Sequence, residues 1–216
     1  MYREITQDGG GFLAEAASDA EGIYTEQVES CAVYAAYGTH GLAVVHDTGQ
    51  LDITSIVEFL QRCGSIARLV RGMNFRQCPK NTEQHHRERS KRIANLLRHK
   101  KGWERVDISN GKIVLLKNGS VIIDPSTTGN VDSVNGKEQR HQINLLNNLF
   151  IKPNSQSIPL DIQFDGDWTS HPRLLASVQE MKLRALQERA RGDNDYLSEL
   201  FRAQQMGVID LSGDQS

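Results

Sequence analysis

The chain has 216 residues, with 25 Lys and Arg against 27 Asp and Glu, 7 His and 3 Cys. That length supports a substantial core in one domain or one domain with an appendage, and a formal charge of −2 gives no whole-chain attraction for nucleic acid. The cysteines lack the number and spacing of a disulfide framework or a zinc finger, the apolar runs fall short of the roughly 18 residues that span a bilayer, and no basic start with an apolar middle marks a secretory leader.

The first elements are weak and then abruptly strong. Residues 1–22, with Gly9, Gly10 and Gly11 and little periodic apolar signal, read as an N-terminal arm. From Ile23 to Tyr37 runs an apolar strand, followed by a turn at Gly38, Thr39, His40 and Gly41 and a second strand from Leu42 to His46. Folding this hairpin sets the start of one strand opposite the end of the other. Asp52 then caps a helix in which Ile53, Ile56, Val57, Leu60 and Cys63 recur on one face until Gly64 ends it. Ile66 to Val70 is a short strand closed by Gly72, and residues 74–81 form a polar loop containing Cys78 and Pro79.

Charge is unevenly spread. Residues 1–60 hold Arg3 as their one Lys or Arg against ten acids, whereas residues 61–105 hold 13 of the 25 basic residues. Five of these fall on a long helix capped at Asn81 or Thr82 and running through Arg98, whose apolar face (Ile93, Ala94, Leu96 and Leu97) lies mostly in its second half. Few aromatic residues interleave with its Arg and Lys, which favours a solvated face over a phosphate-binding one. His85 and His86 are adjacent, so they face different ways on a helix and do not make a metal site. Strands follow at Trp103–Ile108, Lys112–Leu116 and Ser120–Ile123, the last two joined through Asn118 and Gly119, with Pro125 as the stop.

Residues 126–160 are rich in Asn, Gly and Ser and read as a connector or insertion with one helix near 139–150. Residues 161–216 read as a helical extension, a helix opened by Pro172 and broken at Gly192 packing with a second at 196–205. The expected architecture is α+β, a layered mixed sheet flanked by helices over residues 23–125, with a C-terminal helical hairpin. No Walker loop or Gly-x-Gly-x-x-Gly follows a first strand, so no nucleotide, metal or other cofactor is expected.

The chemistry-bearing residues sit on the first hairpin. Cys31 and His46 face each other across it, giving a thiol a base. The N–H groups of Ser30 and Cys31, at a strand entry, are candidates to meet an oxyanion. Thr25, on the same strand as the thiol, and Asp47, beside the imidazole, are both candidates to orient His46; the two-residue period of a strand favours Thr25 and turns Asp47 away. Read alone, a cysteine on an apolar strand is more often a small buried hydrophobe. Cys63 reads as core, and Cys78 as the rival thiol, with His85 or His86 within reach but no strand to hold it.

The stretch from Ile23 to Asp124 resembles the superfamily that joins the CheD-type chemoreceptor glutamine deamidases, the catalytic domain of the cytotoxic necrotizing factors and the protein N-terminal asparagine amidohydrolases. The residues that carry the resemblance are Ser30-Cys31 at one strand entry, Val45-His46 at the next strand end, Thr25, the turn His46-Asp-Thr-Gly49 leading to Asp52, and Leu69-Val-Arg-Gly72. Glu29 stands where the CheD type has Gly, and Asp47-Thr48-Gly49 replaces the apolar and proline residues that follow their His. The resemblance covers about half the chain. It implies a protein glutamine or asparagine deamidase with Cys31 as nucleophile, His46 as base and Thr25 as its support, acting through a thioester, with a protein substrate and no membrane partner. It further implies action in the cytoplasm or in a host cell reached without a cleaved leader, as a bacterial effector acts. Two other readings stand beside it: a cysteine protease or transglutaminase on the same dyad, and a non-catalytic module that binds an acidic protein through the basic helix 82–101.

Overall fold

The computed structural model describes residues 1–16, 20–126, 130–134, 137, 157 and 160–166. In chain order its strands are β1 (Tyr2–Glu4), β2 (Gly9–Ala14), β3 (Gly22–Thr25), β4 (Ala32–Gly38), β5 (Gly41–Asp47), β6 (Ile66–Met73), β7 (Glu104–Asp107), β8 (Ile113–Leu116), β9 (Val121–Ile123), β10 (Val131–Asp132) and β11 (Asp161–Asp165). Helix α1 (Ile53–Leu60) lies between β5 and β6, and α2 (Lys80–Leu96) between β6 and β7. Among the described residues the class is α+β, with two sheets and two helices.

The strands form a five-stranded sheet, β10-β1-β3-β8-β9, and a six-stranded sheet, β11-β2-β5-β4-β6-β7. The period of two along β4 divides the core. Val33, Ala35 and Tyr37 join Leu42, Val44 and Val70 from their own sheet and Ile23, Ile113 and Leu115 from the other, so this core lies between the sheets. Ala32, Tyr34 and Ala36 face the opposite way, onto Ile56, Val57, Leu60 and Ile93 of the helices. The layers are therefore sheet, sheet, helices.

Helix α1 forms where the spacing of its apolar residues demands it. Asp52 accepts from the Ser55 N–H at 2.8 Å as its cap, a 3₁₀ turn at Gln61–Cys63 continues it, and Gly64, at φ 75°, ends it. The hairpin turn also falls where expected, with Gly38 paired to Gly41. Helix α2 begins slightly earlier than Asn81 or Thr82: Pro79 occupies the cap position, and its C=O accepts from the Glu83 N–H at 2.8 Å.

Several expectations are corrected. The run from Ile23 to Tyr37 is two strands in different sheets: β3 ends at Thr25, Gln27 turns the chain at φ 61°, and the Val28 N–H is held by the Gly111 C=O before β4 begins at Ala32. Residues 1–22, expected as an arm, supply β1 and β2, one strand to each sheet. Glycines make this possible, since a Cβ on Gly9 would collide with the Gln163 amide and one on Gly11 with the Phe164 ring. The 126–160 segment does more than connect: β10 lies parallel to β1, Asp132 pairs with Arg3 at 2.7 Å, and Lys137 reaches Glu4 at 2.5 Å and Glu26 at 3.0 Å. Residues 161–165, expected in the helical extension, form β11 parallel to β2. The core thus extends beyond residue 125. The expected helix near 139–150 and the C-terminal helical hairpin lie outside the described residues.

Candidate active site

Three chain segments meet at one end of the gap between the sheets. In the β4–β5 ladder Ala32 pairs with Asp47 and Val33 with His46, so His46 lies on the inter-sheet face with Val33 and Val44. Cys31, just before β4, is buried in the same inter-sheet core as Val33, the residue that pairs with His46. Thr25 closes β3 in the other sheet, on the same face as Ile23, and its side chain crosses the gap to His46. Thr25 and the thiol therefore converge from two sheets rather than along one strand, which corrects the parity argument that singled Thr25 out.

Hydrogen bonding fixes the imidazole. Thr25 Oγ1 lies 2.9 Å from the Ile5 C=O and 2.8 Å from His46 Nδ1. A hydroxyl has one proton, and the Ile5 carbonyl can only accept, so Thr25 donates there and accepts from Nδ1–H. His46 is thereby set in the tautomer whose lone pair is on Nε2. Both side chains are wholly buried, and Cys31 is 4% exposed.

Burial and the neighbouring carboxylates shape the thiol. Desolvation, followed by the negative charges of Asp8 and Asp47, pushes the Cys31 pKa well above its ordinary value. The resting sulfur is therefore a thiol, and a reaction through it requires a base that takes the proton as the bond forms, rather than a standing thiolate. The peptide donors beside it are available: among the described residues neither the Ser30 nor the Cys31 N–H has a protein acceptor.

Asp47 takes a different part from the one weighed for it. Its side chain leaves the His46 face and pairs with Arg89 of α2, Oδ2 to Nε at 2.9 Å, while Oδ1 accepts from the Gly49 and Leu51 N–H groups. It folds the turn after His46. Asp8, which the sequence reading passed over, holds the same turn from the other side. Its N–H donates to the His46 C=O at 2.7 Å, and its Oδ1 accepts from Thr48 N at 3.2 Å and Oγ1 at 2.8 Å. The one local signal was an aspartate heading a glycine run, which reads as a turn and says nothing of burial beside a thiol.

His85 and His86 do face different ways. His85 is exposed, with Nε2 3.0 Å from Gly49 O, whereas His86 is fully buried with Nε2 3.0 Å from Ser30 O. Among the described residues no cluster of His, Cys, Asp or Glu has the arrangement of a metal site. Cys63 donates to the Ala36 C=O at 3.0 Å and burial pushes its pKa up to about 12. Cys78 packs in the helix-side core, its pKa raised by burial and then by Glu83. His40 is exposed in the hairpin turn, and His141 and His171 lie outside the described residues. No helix among the described residues is long and apolar enough to cross a membrane. The chain matches no protein-family model and no curated protein.

Proposed function

We propose that the protein is a cysteine amidohydrolase that deamidates a glutamine or asparagine side chain of a protein substrate. The observation that carries this reading is the Thr25 hydroxyl between Ile5 O and His46 Nδ1, which leaves the lone pair of His46 on Nε2, with Cys31 buried in the same core as the Val33 that pairs with His46. The resemblance to the Cys-His deamidases of the CheD type supports the choice of reaction.

The steps follow from the groups present. As the Cys31 sulfur forms a bond to the carboxamide carbon, its proton passes to His46 Nε2, and the carbonyl electrons become an oxyanion met by the Ser30 and Cys31 N–H groups. Collapse breaks the C–N bond, and the nitrogen leaves as ammonia with the proton from His46. Water then attacks the thioester while giving a proton to His46, the S–C bond breaks, and the thiol is restored with a carboxylic acid as product. The raised pKa of Cys31 suits a mechanism in which proton transfer and attack are coupled. The product carries a new negative charge, enough to change an interface. Action in a reducing compartment, the cytoplasm or a host cell that the protein enters as an effector, fits three free thiols.

The test is mass spectrometry of proteins exposed to the wild type and to Cys31→Ala. A glutamine or asparagine converted to its acid only by the wild type, with ammonia released, supports the reading. Peptide cleavage instead moves it to a protease, and identical products from both forms overturn it.

A further inference from the structure

We infer that His86 of α2 is a positioning residue for the oxyanion site, acting through the Ser30–Cys31 peptide. The inference rests on the proposed use of the Cys31 N–H as an oxyanion donor. Burial pushes the His86 pKa down to about 4, so its ring is neutral near pH 7. Ser30 O can only accept, so the ring nitrogen 3.0 Å from it, Nε2, carries the proton and donates.

The consequence lies in one peptide plane. No peptide bond among the described residues is cis, so the Ser30 C=O and the Cys31 N–H point in opposite directions from the same rigid unit. Fixing the carbonyl on His86 fixes the direction of the N–H beside the Cys31 sulfur. Accepting a hydrogen bond at the carbonyl also polarises the peptide and makes that N–H a better donor.

The helix carrying His86 is itself anchored to the other half of the site. Arg89, one turn on, holds Asp47 at 2.9 Å and the Leu51 C=O at 2.6 Å, next to His46, and Tyr34 of β4 donates to the His86 C=O at 3.4 Å. One rigid face of α2 thus spans the segment before the nucleophile and the segment after the base. A buried imidazole spent on a loop carbonyl is hard to account for by packing alone.

Two small probes separate this role from a purely structural one. Acylation of Cys31 by p-nitrophenyl acetate passes through a tetrahedral oxyanion, whereas alkylation by iodoacetamide does not. In His86→Leu the acylation rate is expected to fall by about 10-fold or more, on the scale of a lost or misdirected oxyanion donor, with alkylation of Cys31 little changed. His86→Gln, whose amide N–H can replace Nε2–H, is expected to restore most of the acylation. Equal losses in both reactions, an unchanged acylation rate, or no recovery in His86→Gln would overturn the inference. If the wild type releases no more p-nitrophenolate than Cys31→Ala, the proposed function itself fails and this role with it.

Discussion

One hydroxyl decides the state of the imidazole. Because Thr25 donates to Ile5 O, it must accept from His46 Nδ1, and Thr25→Val removes both contacts at once. The variant leaves a buried carbonyl and a buried ring N–H without partners, at about 1–3 kcal/mol for each group. It also frees the other tautomer, so kcat for deamidation is expected to drop by about 10- to 100-fold, while Thr25→Ser keeps most of both; urea midpoints and steady-state rates on the same preparations check this. His86 gives a prediction in pH. Its pKa, lowered to about 4 chiefly by burial, means that the unfolded chain takes up its proton near pH 6.5 while the folded one resists until near pH 4. Between those values the unfolded state binds more protons, so stability falls as pH falls. From pH 7 to pH 5 the wild type should lose about 2 kcal/mol more than His86→Gln, read as the difference between their urea unfolding curves. The β4–β5 register that sets His46 opposite Val33 was legible from hairpin spacing alone, because a two-residue turn fixes register locally. The contacts of Asp8 and His86 were not, since they are made with partners tens of residues away.

Helix α2 shows what apolar periodicity sees and what it misses. Its buried face is His86, Arg89, Ser90, Ile93 and Ala94, a helical spacing throughout, but only the second half of that face is apolar. The first half is a polar seam, with Arg89 on Asp47 and Ser90 Oγ accepting from Arg71 at 2.8 Å. A reading by hydrophobic residues therefore assigns the basic segment to solvent. That holds for Arg87, Lys91, Arg92 and Arg98, which are exposed, and fails for Arg89. The seam has a measurable consequence. Arg89→Met should destabilise by about 3–5 kcal/mol, because the Asp47 carboxylate stays buried without its partner. The double variant Asp47→Asn with Arg89→Met should be less destabilised than Arg89→Met alone, the charge that needed compensation being gone. Denaturant unfolding of the two forms tests the coupling, and equal losses would mean that Asp47 is satisfied by the Gly49 and Leu51 N–H groups without Arg89.

Across the whole molecule, the elements that local pattern missed are those held by long-range pairing. β1 and β2 lack the alternating apolar residues of a half-buried strand, and β2 is half glycine because β11 packs its Phe164 ring and Gln163 amide directly on that backbone. β10 and β11 are short, and their register with β1 and β2 is parallel, so no hairpin turn announces it. The result is a core that local reading closes at residue 125 but that is completed by residues 130–134, 137 and 160–166. Gln163 Oε1 accepts from the Thr6 N–H at 2.9 Å, its Nε2 donates to Thr6 Oγ1 at 2.7 Å, and Leu160 and Phe164 are buried, one on each side of the six-stranded sheet. A chain of residues 1–126 would expose the β2 edge, leave Thr6 without these partners and lose both apolar anchors. Phe164→Ala alone should cost about 3–5 kcal/mol, a large part of the roughly 5–15 kcal/mol that holds a typical domain together. Residues 1–126 are therefore expected to show no cooperative thermal transition by near-ultraviolet circular dichroism, whereas residues 1–166 retain one. A shared midpoint for the two would mean that β10 and β11 decorate a core already complete without them. Because Asp8, against the turn that follows His46, immediately precedes β2, such a truncation acts on the candidate site through that strand.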